Sequence, residues 1–398
     1  MTTFPTYQRH DVLFESGNGA ILIDQDGKEY LDFGSGIGVT NLGHNHPRVQ
    51  QAVMKQVQKL WHTSNLFSNS LQEEVAQKLN HVSGMAAAFF CNSGAEANEA
   101  AIKLARKWAK EKKLIQEPQI ITFQGSFHGR TLATLTATGQ DKVKLGFDPL
   151  PHGFRILPAN DIEAVKQVTG STTAAIFLEL VQGEGGVIPV DLEFARELTA
   201  WCNEKNILLI IDEVQTGIGR TGEWFAYQNY GIEPDIVTVA KGLGNGFPVG
   251  AMLAKEHLKS VFGPGTHGTT FGGNYLAMAA ANAVLDEFQQ TNLIWEAKEK
   301  GERLAHLLST KLKDIPNIAE VRHLGLMVGI QCNIPVAPII KQLLEQGLIT
   351  LPAGERVLRL LPPLIIKDQQ ITEAVLIIKN VLTQQHQNHM KLEEAVIL

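Results

Sequence analysis

Ile207-Leu208-Leu209-Ile210-Ile211 followed by Asp212, and Ile236-Val237-Thr238-Val239-Ala240 followed by Lys241, decide the fold of this chain. Each is a short apolar or β-branched run that ends abruptly in one charged residue. Runs of this kind predict strands buried on both faces, the pattern of a parallel sheet rather than of a half-solvated antiparallel one. Ligands of open α/β sheets sit beyond the carboxyl ends of the strands. The two runs therefore deliver an acid and an amine to one sheet edge.

A ligand that needs both is pyridoxal 5'-phosphate, whose aldehyde takes a lysine as a Schiff base and whose pyridinium nitrogen takes an acid partner. Lys241 could instead be a solvated lysine at a strand end. Five apolar or β-branched residues before it, and Gly242-Leu243-Gly244 after it, argue against that. Between the runs, Gly217-Ile218-Gly219-Arg220-Thr221-Gly222 matches the GxGxxG dinucleotide pattern. In a dinucleotide unit the first Gly follows the strand at once and the last opens a long helix. Here Asp212 to Thr216 intervene, and the segment after Gly222 runs only to Asn229-Tyr230-Gly231. The motif reads as a connector.

A chain of 398 residues with 44% hydrophobic and 19% charged residues can bury a large core, more readily as two domains than one. Its net charge of -6 disfavours nucleic acid and anionic membrane surfaces as partners. Cys91, Cys202 and Cys332 lie far apart without CxxC spacing, which gives neither a disulfide framework nor a zinc site. The start, Met1-Thr2-Thr3-Phe4-Pro5-Thr6, lacks a basic region followed by an apolar core. No apolar run approaches the roughly 18–20 residues of a membrane helix. A soluble cytoplasmic protein is the expectation.

In chain order, Ile21-Leu22-Ile23 and Glu29-Tyr30-Leu31-Asp32-Phe33 predict a hairpin turned at Gly27. Gly34-Ser35-Gly36-Ile37-Gly38-Val39 is a glycine-dense loop whose backbone can approach a ligand closely. His44 and His46 have no Cys, Asp or Glu partner nearby in sequence and read as a polar turn before the next helix, not as metal ligands. Helices are predicted over 47–60 and about 71–80, and a strand over 86–90. That strand runs into Asn92-Ser93-Gly94-Ala95 and a long helix, which is either an ordinary N-cap or an anion site made by free N–H groups and the helix dipole.

A strand over 120–123 leads to Phe127-His128-Gly129-Arg130-Thr131. Such a loop could stack on a flat ring and grip a carboxylate with the arginine fork, or could be a surface loop with a solvated arginine. A buried strand over 174–180 precedes Gln182-Gly183-Glu184-Gly185-Gly186, and a helix spans about 192–205. From about 292 the texture changes to amphipathic helices alternating with strands over 320–331 and 358–366. This predicts a large domain over 51–290 and a smaller α/β domain over 291–398, completed by residues 1–50. The tail is polar from about Gln384 and ends Ala395-Val396-Ile397-Leu398.

Together these segments resemble the class III (ornithine-type) pyridoxal-phosphate aminotransferases, from about Tyr7 to about Leu382. The resemblance rests on Leu42-Gly43-His44-Asn45-His46-Pro47, Asn92-Ser93-Gly94-Ala95-Glu96-Ala97-Asn98-Glu99, the Phe127 and Gln182 loops, Asp212-Glu213-Val214-Gln215-Thr216-Gly217, Ala240-Lys241-Gly242 and Gly268-Thr269-Thr270-Phe271-Gly272-Gly273-Asn274. It implies an α/β fold of fold type I, with a mainly parallel sheet flanked by helices plus a smaller α/β domain. It further implies that Lys241 carries the cofactor and shuttles a proton, and that Asp212 pairs with the pyridinium nitrogen. Gln215 would reach the ring hydroxyl, Phe127 would stack on the ring, and Ser93, Gly94 and Ala95 would cradle the phosphate. Thr270 would reach the phosphate from the neighbouring subunit of a homodimer with shared active sites.

For the substrates, the same resemblance implies that Arg130 holds the carboxylate distant from the reacting amine. Arg359, in Val357-Leu358-Arg359-Leu360-Leu361-Pro362-Pro363, would hold the nearer carboxylate of glutamate or 2-oxoglutarate. Glu184 would neutralise Arg359 when the donor has no carboxylate there, and an unpaired buried guanidinium would otherwise be costly. Thr269 stands where relatives carry a serine that contacts substrate, and Leu180 replaces a common proline. Ile37 stands where ornithine δ-aminotransferases place a tyrosine, which points away from free ornithine and toward N2-acetylornithine as donor. Ile37 does not exclude 4-aminobutyrate, and succinyl-diaminopimelate fits the same pocket logic.

Overall fold

The computed structural model describes residues 2–397, with side chains through residue 386; the side chains of the tail beyond that lie outside the described residues. In chain order the strands begin with β1 (Phe14–Asn18), β2 (Ile21–Asp24), β3 (Glu29–Asp32), β4 (Ala87–Cys91), β5 (Gln119–Phe123) and β6 (Phe154–Leu157). Next come β7 (Thr173–Leu178), β8 (Val181–Gln182), β9 (Ile188–Pro189), β10 (Leu208–Asp212), β11 (Ile236–Val239) and β12 (Gly250–Ala254). The C-terminal part adds β13 (Ile318–Leu324), β14 (Met327–Cys332), β15 (Leu348–Ile349), β16 (Leu351–Ala353) and β17 (Val357–Leu360).

The central sheet has the order β4-β12-β11-β10-β7-β5-β6, so the two runs that opened the sequence lie side by side near its middle. They pair in parallel, with Asp212 opposite Thr238. β12 alone runs antiparallel, to β11 on one side and β4 on the other. Every residue of β7, β10, β11 and β12 is buried. The reason is visible in the packing: Leu209, Ile211 and Val237 enter one apolar layer, while Leu208, Ile210 and Ile236 enter the other. With helices on both faces, each fully buried Leu or Ile contributes about 1.5–3 kcal/mol, and polar alternation has no place.

The helix Gly94–Lys112 covers one face through Ala101, Leu104, Ala105 and Trp108. The helix Leu192–Lys205 covers the other through Phe194 and Leu198. Two four-stranded sheets flank this core, and β8 and β9 form a two-stranded one. Of the four-stranded sheets, one has the order β1-β2-β3-β15, so N-terminal and C-terminal segments share it; the other has the order β13-β14-β17-β16. The expected hairpin at Gly27 is β2 and β3, joined with Gly27 at a φ of +81°.

Several boundaries differ from the sequence expectation. The segment 320–331 is not one strand but the antiparallel hairpin β13–β14, turned at Gly325 with a φ of +55°. The strand expected over 358–366 stops at Leu360, because Pro362 and Pro363 have no N–H to give a ladder. The helix from Pro47 ends at Val57, short of residue 60, and the next helix is longer than expected, Ser70–Ser83. His44 Nε2 lies 2.8 Å from Asp32 Oδ2, and the described residues hold no cluster of three or more groups able to bind a metal ion. Among the described residues, no helix is long and apolar enough to cross a membrane.

Candidate active site

Asp212 ends β10 and is 4% exposed. Its Oδ1 accepts a hydrogen bond from Val214 N at 3.0 Å. Its Oδ2 accepts from Asn98 Nδ2 and lies the same 2.8 Å from His128 Nδ1. A carboxylate can only accept, so Nδ1 of His128 carries the hydrogen there. The imidazole is itself fixed by stacking on Phe177, with ring centroids 4.0 Å apart. These contacts hold the carboxylate in one orientation at the sheet edge.

Lys241 follows β11 after Ala240 and opens a single 3-10 turn. Its φ of +40° is left-handed backbone, which a residue with a side chain adopts at a cost of about 1–3 kcal/mol. Burial, and then the Arg359 cation, push its amine down to about 8. Asp212, Glu184 and Glu179 pull the other way. Glu179 is a buried carboxyl that accepts from Phe127 N at 2.9 Å; burial and the neighbouring Asp212 hold it well above the usual carboxylate range.

A cavity of about 410 Å³ joins these groups. Its lining brings together Ser93, Gly94, Ala95, Phe127, Arg130, Asp212, Gln215 and Lys241. Ser93 caps the helix Gly94–Lys112, accepting from Glu96 N at 3.2 Å. The first N–H groups of a helix have no partner within it, and with Ser93, Gly94 and Ala95 lining the cavity this helix start suits an anion. A side chain at Gly94 would put a Cβ 2.6 Å from Val214 Cγ1, so only glycine lets the cradle close on the Asp212 loop. Arg130 is exposed, with its guanidinium carbon 5.7 Å from the Phe127 ring centroid.

Behind Gln215 stands Arg359 of β17, its side chain only 3% exposed. Its Nη1 donates to Glu184 Oε1 at 2.7 Å and to Gln215 Oε1 at 3.1 Å. Glu184 and Arg359 thus adjoin the cavity without lining it. Ile37 is 44% exposed and stands outside the lining, on a turn whose residues 35–38 all have positive φ. Thr269 and Thr270 are not brought to this cavity at all. Thr269 accepts from Asn92 Nδ2 at 3.2 Å, and with exposed Thr270 it lines a separate cleft beside Phe89 and Phe271.

An anion cradle, a ring platform at Phe127, a fixed acid and a lowered-pKa amine within one cavity fit pyridoxal phosphate group by group. Sequence reading gave no role to Asn98, His128 or Glu179 in this constellation. The signal for Glu179 was present as the one acid inside the apolar stretch 174–180. Asn98 and His128 gave none, because their roles come from meeting Asp212 across 114 and 84 residues of chain. The GxGxxG segment binds nothing in this cavity; its Arg220 is fully buried and donates to Leu326 O, Pro362 O and Asn41 Oδ1.

The family profile described as Aminotransferase class-III matches residues 5–382. The acetylornithine aminotransferase of Bacillus cereus is 54% identical over 379 residues, which is 95% of this chain and 97% of that protein. The solved ornithine aminotransferase from Toxoplasma gondii superposes with a TM-score of 0.93 at 32% identity, covering 96% of this chain and 93% of that one. The acetylornithine aminotransferase from Elizabethkingia anophelis superposes with a TM-score of 0.86 at 34% identity, covering 96% of each chain. With its fold, its cavity and these relatives in agreement, the chain belongs to the class-III aminotransferases, pyridoxal-phosphate-dependent enzymes of fold type I.

Proposed function

We propose that the protein transfers the δ-amino group of N2-acetyl-L-ornithine to 2-oxoglutarate, giving N-acetyl-L-glutamate 5-semialdehyde and L-glutamate, a step of arginine biosynthesis. The Glu184–Arg359 ion pair at 2.7 Å carries the proposal. It closes the near carboxylate site for a donor whose reacting end bears no carboxylate, as in acetylornithine. A dicarboxylate takes Arg359 from Glu184, so one pocket serves two substrates in turn. Arg130 has no ion-pair partner among the described residues and is left to hold the far carboxylate. Ile37, apolar and outside the cavity lining, offers no hydroxyl to a charged α-amino group, which suits an acylated α-nitrogen better. The similarity to acetylornithine aminotransferases, among them that of Bacillus cereus, supports the same donor.

Bound pyridoxal phosphate supplies an electron sink for the carbon bearing the amine. The chain's own residues do the rest. Asp212 keeps a negative charge on the pyridine side, held by Asn98, His128 and Val214 N. Lys241 Nζ would hold the cofactor and, with substrate bound, would move the proton at the reacting carbon. Ser93, Gly94 and Ala95 would anchor the phosphate, and Gln215 would reach the ring hydroxyl. In a homodimer, Thr270 would reach the phosphate of the neighbouring subunit, and Thr269 its substrate. The chain divides into a large domain over 51–290 and a smaller one built from 1–50 and 291–398.

The test is kinetic. With 2-oxoglutarate as acceptor, kcat/KM for acetylornithine is expected to exceed those for ornithine, 4-aminobutyrate and succinyl-diaminopimelate by at least about tenfold, or about 1.4 kcal/mol. A higher value for any of the other three overturns the donor assignment.

A further inference from the structure

Glu184 stands on a glycine-rich loop, residues 183–187, whose backbone is strained where it leaves the site. Gly186 has a φ of +127°, and Val187, a buried β-branched residue, has a φ of +54°. A β-branched side chain at positive φ is an outlier that persists only where the surroundings impose it.

What imposes it is a row of three residues across the C-terminal sheet. Arg322 of β13 pairs with Gly329 of β14, and Gly329 pairs with Arg359 of β17. Residues directly opposite one another share a sheet face, so two arginines flank a gap where Gly329 has no side chain. The loop fills that gap: a Cβ at Gly329 would lie 2.9 Å from Val187 Cβ and 3.3 Å from Gly186 O. On one side of the notch Arg322 Nε donates to Gly186 O and Val187 O, each at 3.0 Å, and Nη2 donates to Gly186 O at 2.5 Å. Glu320 and Gln331 hold the same guanidinium in place at 3.0 and 3.2 Å. On the other side Arg359 takes the Glu184 carboxylate.

We propose that Arg322 and Gly329 are positioning residues for the Glu184 gate: they lock the backbone of the loop, so that Glu184 closes on Arg359 from a fixed base and opens by side-chain rotation alone. The inference rests on the two-substrate function proposed above. Loosening the base weakens the closed Glu184–Arg359 arrangement and leaves Arg359 freer for a dicarboxylate. The two kinds of ligand should therefore respond in opposite directions, which a general loss of folding would not produce.

The experiment compares wild type, Arg322→Met and Arg322→Lys as holoenzymes. In Arg322→Met, kcat/KM for acetylornithine should fall at least tenfold while kcat/KM for glutamate changes less than threefold. Glutarate, an unreactive dicarboxylate, should bind at least threefold tighter by calorimetry. Arg322→Lys keeps one donor and should lie between the two; it also decides the matter if Arg322→Met does not fold. Equal losses for both substrates, or glutarate affinity unchanged or weaker in both variants, overturn the proposal. If wild type prefers another donor, the function proposed above fails, while the glutarate measurement, which needs no turnover, still decides the role of Arg322.

Discussion

Burial and the Arg359 cation push the Lys241 amine down to about 8. An ordinary lysine titrates near 10.4, so between about 8 and 10.4 the unfolded chain binds the proton that the folded protein has released. Stability from this residue therefore rises with pH across that window, and its full penalty is present below about 8. The reactivity of Lys241 toward an amine-directed acylating reagent, followed by peptide mass in the cofactor-free protein, should be half-maximal near pH 8; a midpoint near 10 would contradict the burial argument. Lys241→Ala should abolish turnover, since the cavity holds no second amine to bind the cofactor and move the proton. Glu184→Gln removes the counter-charge of a buried guanidinium, a loss of about 3–5 kcal/mol where the pair is fully desolvated. Glu184 is 31% exposed, so the effect should be smaller here. It should appear as a drop in kcat/KM for acetylornithine that exceeds the drop for glutamate.

At the scale of elements, the site depends on a helix start pressed against a strand end. Gly94→Ala forces a Cβ against Val214 Cγ1 at 2.6 Å. Cofactor affinity should fall at least about tenfold, or about 1.4 kcal/mol, read as the dissociation constant from absorbance titration. Val214→Ala in the same chain should restore most of it; failure of that second change would place the defect elsewhere. Phe177 on β7 backs the His128 ring and is fully buried. Phe177→Ala should destabilise the fold by about 3–5 kcal/mol in denaturant titration. Elements with uniform burial, such as β7 and β10, were legible in the sequence because nothing polar interrupts them. The β13–β14 hairpin was not, because Leu324-Gly325-Leu326 turns the chain without a polar break. Periodicity cannot separate one long strand from two that share a core face.

Across the whole molecule, Phe271 beside Thr270 is 62% exposed, as are Trp61 at 58% and Phe67 at 67%. Burial of these side chains in the proposed homodimer predicts a dimer by light scattering at micromolar protein, and Phe271→Asp should shift it toward monomer. The sequence by itself determined the parallel core and placed Asp212 and Lys241 at its edge, since covered strands must be apolar until they reach the ligand. The resemblance of its motifs to the class-III aminotransferases also marked Ser93, Arg130 and Arg359 as candidate phosphate and carboxylate contacts. Only the tertiary structure decided what surrounds them. Asn98 and His128 orient Asp212, Gly329 makes room for the Glu184 loop, and Arg220 pins the connector rather than a cofactor. Those roles are set by distance between segments far apart in the chain, and a one-dimensional pattern records periodicity and local chemistry but not which segments meet.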